Sequence, residues 1–197
     1  EVETRVETIA NVDVPGFEEP ASAQIVSLPA GAQPALNQLY LRSGRLPAAE
    51  GEAVVEEGFA KAHGLRPGDM LVVLLGGRRQ QVRVVGVALS PEFVIAIRPG
   101  DLMPDDLHFG VLWMTREAVG AALDLQGAFN SVALRLSPGA SEREVIAEVN
   151  RILEPYGGRD AHGRDRQVSD RYLSDEIRQL RSIAIAVPGI FLAVAAF

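Results

Sequence analysis

The chain has no cysteine among its 197 residues. That excludes disulfides, thiolate metal sites and a cysteine nucleophile. It also has very little lysine: of 19 basic residues only Lys61 is one. Acidic residues outnumber basic ones, 26 to 19, for a formal net charge of -7 and a pI near 5.0. A clustered basic surface is what phosphate backbones require, so nucleic acid is not expected as a partner. The three histidines stand at 63, 108 and 162, with no H-x₃-H or H-E-x-x-H spacing. There is no G-x-S-x-G elbow, no Walker A loop and no G-x-G-x-x-G after a strand. Nothing here predicts an enzyme or a bound cofactor.

Long apolar runs are absent until the end. There "SIAIAVPGIFLAVAAF", Ser182 to Phe197, carries no charge over sixteen residues. At 1.5 Å per helical residue it covers roughly 24 Å, short of the roughly 30 Å hydrocarbon core. It is apolar all round, and Pro188-Gly189 would harm a soluble helix more than a membrane one. The expectation is a helix leading into a transmembrane segment. The competing account is a buried C-terminal core helix.

What is present reads as ordinary globular protein, 47% hydrophobic and 23% charged. "EVETRVET" alternates and predicts a half-exposed strand; "DVPGFEEP" is turn chemistry; "AQIVSLP" is a second strand. Further strands are expected in "LYL", at Ala53 to Glu56, in "EFVIAI" and in "VLWM". "EGFAKAHG" predicts a short helix stopped at Gly64. "MLVVLLGGRRQQVRVVGVAL" predicts a hairpin turning at Gly76-Gly77. Thr115 is placed to cap "REAVGAAL", and Ser141 with Glu144 forms a capping box for "EREVIAEVNRIL". Val145, Val149, Ile152 and Leu153 make that helix amphipathic.

The fold class expected is α+β. Residues 1–36 and 111–168 form a discontinuous α+β part, and 37–110 form an inserted β-rich part. Residues 169–197 form a C-terminal helix running into the apolar tail. The local stretch that draws attention is "PGDLMPDDLHFG". Asp101, Asp105, Asp106 and His108 would offer oxygen and nitrogen ligands to a divalent ion. Their spacing matches no known ligand loop, which favours a solvated loop built from turn-forming residues. Leu102, Met103, Asp105, Asp106 and His108 are the candidate contact surface for a partner or substrate. Trp113 is expected in the core.

The stretch 39–93 resembles the extracytoplasmic domain of MacB/FtsX-type ABC transporter permeases. The elements that carry this are Gly44-Arg45-Leu46-Pro47, Glu52 to Val55, Gly64-Leu65 with Gly68-Asp69, and Val84-Val85-Gly86. "FNSVALRLSPGASEREVIAEVNRIL" resembles the returning strand and helix of that family's split porter-like subdomain. "LSDEIRQLRSIAIAVPGIFLAVAAF" resembles its stalk entering the second transmembrane helix. The resemblance implies a non-enzymatic domain on the extracytoplasmic side of the bacterial inner membrane, without cofactor. Implied partners are a cytoplasmic ATP-binding subunit, a second permease copy, and a periplasmic adaptor or lipoprotein. The long loop at 98–110 departs from the best-known members. The same GL-x-x-GD device also occurs in double-psi β-barrels, which would make the middle region part of a soluble binding module.

Overall fold

A computed structural model describes residues 1–158 and 161–195. Arg159 and Asp160, in the expected polar linker, and Ala196 and Phe197, at the end of the apolar tail, lie outside the described residues. The chain forms two compact units, Glu1–Gly139 and Ala140–Phe197.

The first unit is mostly strand. The alternating N-terminal run is interrupted at Val6, giving β1 (Val2–Arg5) and β2 (Glu7–Asp13). Val6 is fully buried, and its N–H donates to Ser27 Oγ at 2.8 Å while its carbonyl accepts from Ser27 N–H at 2.9 Å. That exchange lets one run serve two sheets. β1 pairs antiparallel with β9 (Ser131–Leu134) as a two-stranded ribbon. β2 joins a seven-stranded sheet with β3 (Ala21–Leu28), β4 (Tyr40–Gly44), β5 (Glu52–Glu56), β6 (Met70–Leu75), β7 (Arg78–Leu89) and β8 (Phe109–Thr115). The order is β4-β7-β5-β8-β3-β2-β6, and β6 also pairs with β7. Hydrogen bonding thus closes through six strands into a ring, with β4 added at the outside. Strands from 1–36, from 37–110 and from 111–168 share this ring.

The alternation of each ring strand explains the core. One face, including Val12, Ile25, Val55, Leu71, Val73, Val82, Val84, Leu112 and Met114, forms a single buried cluster. Helices α1 (Glu57–Ala62) and α2 (Arg116–Ala122) add Phe59, Ala60 and Val119 to it. The opposite face of β3, β5, β7 and β8 packs Val26, Val54, Val111 and Trp113 with Leu39 and Ala96 from the connecting segments. Trp113 is in the core as expected, 2% exposed. The β6–β7 hairpin turns at Gly76-Gly77 as predicted, both with positive φ (57° and 74°).

"EFVIAI" is not a strand. Its first residues are drawn away from sheet pairing: Glu92 takes Arg5 and accepts from Asn37 Nδ2 at 2.9 Å, and its own N–H donates to Ser90 Oγ. β-propensity alone cannot hold an extended run with no free ladder beside it.

The second unit holds α3 (Glu142–Leu153) and α4 (Val168–Ala195). Ser141 caps α3 as predicted, its Oγ accepting from Glu144 N–H at 3.4 Å. α4 runs without interruption from the charged stretch into the apolar tail and contains Pro188. No helix among the described residues is long and apolar enough to cross a membrane.

Candidate functional site

The quoted sequence elements of the 44–86 region meet around one irregularity in β7. β5 pairs with β7 in parallel, and the register slips so that Ala53 faces Val84 but Val54 faces Gly86. Val85 is the extra residue of a β-bulge. Its carbonyl accepts from Arg45 N–H at 2.9 Å. Gly44 sits beside it at φ +75°, where an added Cβ would stand 2.1 Å from Val85 O and 2.7 Å from Gly86 Cα. The Arg45 guanidinium pairs with Glu52, whose Oε2 also accepts from Ala48 N–H at 2.9 Å and Ala49 N–H at 3.3 Å. These donors hold the Glu52 carboxyl down at about 2, from 4.5. On the other flank Gly68 N–H donates to Val84 O and Val84 N–H to Asp69 O, both at 2.8 Å. Asp69 Oδ2 closes its own turn by accepting from Arg66 N–H at 2.7 Å. Residues of all four motifs therefore meet in one knot of backbone hydrogen bonds closed by the Arg45–Glu52 pair.

The acidic loop is the second feature. It leaves Ile97 and returns at β8, and its two limbs are tied where Arg98 Nη2 donates to His108 O at 2.7 Å. Arg98 also lies over the Phe109 ring at 5.8 Å. The loop turns on Asp105, whose carbonyl accepts from His108 and Phe109 N–H groups at 3.1 and 2.9 Å. At its tip Leu102 is 91% exposed and Met103 71%.

Of the predicted residues, the fold brings Asp105 and His108 together: His108 Nδ1 lies 2.7 Å from Asp105 Oδ2. Asp106 goes elsewhere. Its carboxylate covers Gly58 at the start of α1, where an added Cβ would meet Oδ2 at 2.8 Å. Below it is Glu56, 5% exposed, which caps α1 by accepting from Gly58 and Phe59 N–H at 2.7 and 2.9 Å. Burial pushes the Glu56 carboxyl up, its two backbone donors oppose this, and nearby Asp106 adds to the rise. Among the described residues no group of three His, Cys, Asp or Glu side chains is arranged to hold a metal ion.

Three participants were not visible in the sequence. His108 Nε2 lies 2.8 Å from Glu19 Oε2, across 89 residues, on the β2–β3 turn. Phe17 of the same turn packs on both imidazoles, 5.6 Å from His108 and 4.7 Å from His63. His63 Nε2–H donates to Leu107 O at 2.9 Å. The Glu19 and Asp105 carboxylates raise the His108 pKa above 6.5, and His108 in turn lowers that of Asp105 below 3.8.

A third cluster lies beside Trp113. Arg5 pairs with Glu92 and Glu7, with both Arg5 and Glu92 side chains nearly covered at 12% and 11% exposure. Glu3, Leu36, Asn37 and Ser90 line the same recess. Leu36 N–H donates to Glu3 Oε2 at 2.6 Å. Its polar groups satisfy one another, as a structural tie requires.

No protein-family model matches the chain, and no curated protein matches it in sequence. Among solved structures, the chain is similar to the extracellular domain of the noncanonic ABC-type transporter YknZ from Gram-positive bacteria. The identity is 13%, over 82% of this chain and 78% of that one, with a TM-score of 0.49. It is also similar to the periplasmic region of MacB from Actinobacillus actinomycetemcomitans, at 14% identity over 90% of this chain and 75% of that one, with a TM-score of 0.46.

Proposed function

We propose that the chain is the extracytoplasmic domain of a MacB/FtsX-type ABC transporter permease. In this reading it is not an enzyme. It transmits ATP-driven conformational change across the bacterial inner membrane, in efflux or in export of a lipoprotein or other substrate. The observation that carries the reading is the knot at Val85. Elements that define the resemblance one by one in sequence are each other's hydrogen-bonding and packing partners in three dimensions. The ATP-binding subunit and a second permease copy act through the membrane part, and an adaptor or lipoprotein meets the domain outside. Residues 37–110 serve as the insert of the split domain and 169–197 as the stalk. The tip at Leu102 and Met103 is the surface offered outward, flanked by Asp105, Asp106 and His108.

The chain lacks cysteine, so one introduced thiol is this domain's single reporter, read against the unsubstituted whole gene product. The test uses Met103→Cys in the whole gene product. A membrane-impermeant maleimide applied to intact cells, or to cells with a permeabilised outer membrane, should label it, and vanadate trapping of the transporter ATPase should change the labelling rate. Labelling only after cell lysis would place the domain in the cytoplasm and end the proposal.

A soluble binding module is the second reading, favoured by the closure of six strands into a ring. The interior of that ring is filled by apolar side chains, so a ligand would have to use its rim. Met103→Cys labelling that is indifferent to vanadate, in a protein released from membranes by carbonate, would support this alternative.

A further inference from the structure

His108 is unusual in having an acidic partner at each ring nitrogen, Asp105 at 2.7 Å from Nδ1 and Glu19 at 2.8 Å from Nε2. An ionised carboxylate only accepts hydrogen bonds. A neutral imidazole has one N–H and one bare nitrogen. Both contacts are therefore satisfied only when the ring carries two protons. In the neutral ring a bare nitrogen lone pair would face a carboxylate oxygen.

We propose that His108 is a proton-operated latch between two largely exposed segments, the β2–β3 turn at 15–20 and the loop at 99–108. The imidazolium pins them together, and loss of its proton opens the contact with Glu19. That contact is the one to go because Asp105 is local. It lies three residues from His108 and is already held in its turn by Leu107 N–H and by the backbone. Glu19 reaches in from a separate turn with its side chain 69% exposed, so letting it go recovers side-chain freedom.

The surroundings favour the charged ring. Glu19 and Asp105 face the nitrogens directly. Asp106, from the same loop, turns its carboxylate away to Gly58 at the start of α1, over the buried Glu56 cap. Arg98 is the opposing charge, but its guanidinium is engaged at His108 O and over Phe109. His63, at the end of α1 across Phe17, is held through a bond to the Leu107 carbonyl that a neutral ring makes equally well. The base of the loop thus stays pinned while the Glu19 contact opens.

The sign follows from the partners. Docking raises the His108 pKa, so the stabilisation it gives is full below the free-histidine value of 6.5 and is lost as pH rises through the docked value. Acid closes the latch and alkali opens it. It carries Leu102 and Met103 on one side, so the mobility of the outward tip becomes pH-dependent under either functional reading.

The experiment uses the full 197-residue chain. With three histidines in the sequence, ring nitrogen shifts can be assigned by NMR and followed from pH 5 to 9. His108 should still show two protonated nitrogens above pH 6.5. Across the His108 transition, amide protection at 16–19 and 101–107, corrected for intrinsic exchange, should fall. By linkage the fall equals the ratio of the free and docked acid constants of His108. Glu19→Gln, at an exposed position, should move the transition toward 6.5 and flatten the change in protection. A His108 that titrates at or below 6.5, protection unchanged across its transition, or a Glu19→Gln protein with the wild-type transition would each overturn the latch.

Discussion

Replacing Gly44 by alanine tests whether the knot at Val85 is as tight as its geometry states. At φ +75° any L side chain is strained, at roughly 1–2 kcal/mol. The new Cβ would also stand 2.1 Å from Val85 O, 2.7 Å from Gly86 Cα and 2.9 Å from Val85 C. All three are backbone atoms, in a bulge held by Arg45 N–H on one side and by the β5 register on the other. None is a flexible side-chain end that could swing away. Displacing a packed neighbour costs a further ~1–3 kcal/mol. The total is about 2–5 kcal/mol, a large part of the ~5–15 kcal/mol that holds a typical domain. Gly77→Ala is the matched control. Its φ is +74°, and an added Cβ meets nothing within 4 Å, so only the first ~1–2 kcal/mol applies. Urea unfolding followed by the fluorescence of Trp113, the single tryptophan and a core residue, reads both variants. The expected result is a lower midpoint for Gly44→Ala than for Gly77→Ala, with equal m-values. Equal midpoints would refute the claim that the bulge is rigid.

Three other outcomes follow from the same contacts. Glu52 has its pKa depressed to about 2, so what its charge contributes is full above pH 4.5 and is lost as pH falls toward 2. The stability gap between wild type and Glu52→Gln should therefore be widest near neutrality and close in acid unfolding curves near pH 2. Phe59 is fully buried against Gly110, where an added Cβ would meet its Cγ at 2.5 Å. Phe59→Ala should cost ~3–5 kcal/mol, read by the same urea titration, and a loss under ~1 kcal/mol would mean the site can collapse. Leu102→Ser with Met103→Ser, at the exposed tip, should leave stability within ~0.5 kcal/mol. If the chain serves a transporter as proposed and the tip is its outward surface, the pair should still uncouple transport from ATP hydrolysis in reconstituted vesicles, and unchanged coupling would assign the partner surface elsewhere.

Local signals in the sequence carried well where one residue decides one geometry. The Gly76-Gly77 turn, the stop at Gly64, and the caps Thr115 and Ser141 all act within a few residues of themselves. The strand expected in "EFVIAI" failed because its fate depends on Arg5 and Asn37, residues far from it in the chain. The break at Val6 was hidden for a like reason. Alternation continues through it, and only the exchange with Ser27 reveals that the run changes sheets. The candidate loop shows the same division. Asp105 and His108 are three residues apart on one turn, so their pairing is local, whereas Glu19 comes from 89 residues away in an ordinary-looking "FEEP".

The Val85 bulge and the His108 contacts of the first unit differ in how they are built. Around Val85 the polar groups are spent on backbone partners and on the Arg45–Glu52 pair, with a bulge that admits no side chain at Gly44. Such a centre resists change. At His108 the partners are exposed side chains, and the arrangement demands two protons on one ring. Such a centre yields to a change in solution. Under the proposed function a domain that relays motion would use both kinds of joint, and here they connect to the two ends of the same helix. α1 is capped at its start by Glu56, the last residue of the strand that runs past the bulge, and His63, its C-cap, holds the loop that carries the latch. A pull on the bulge strand would thus reach the latch through six helical residues, and pH would set how firmly the far end is held.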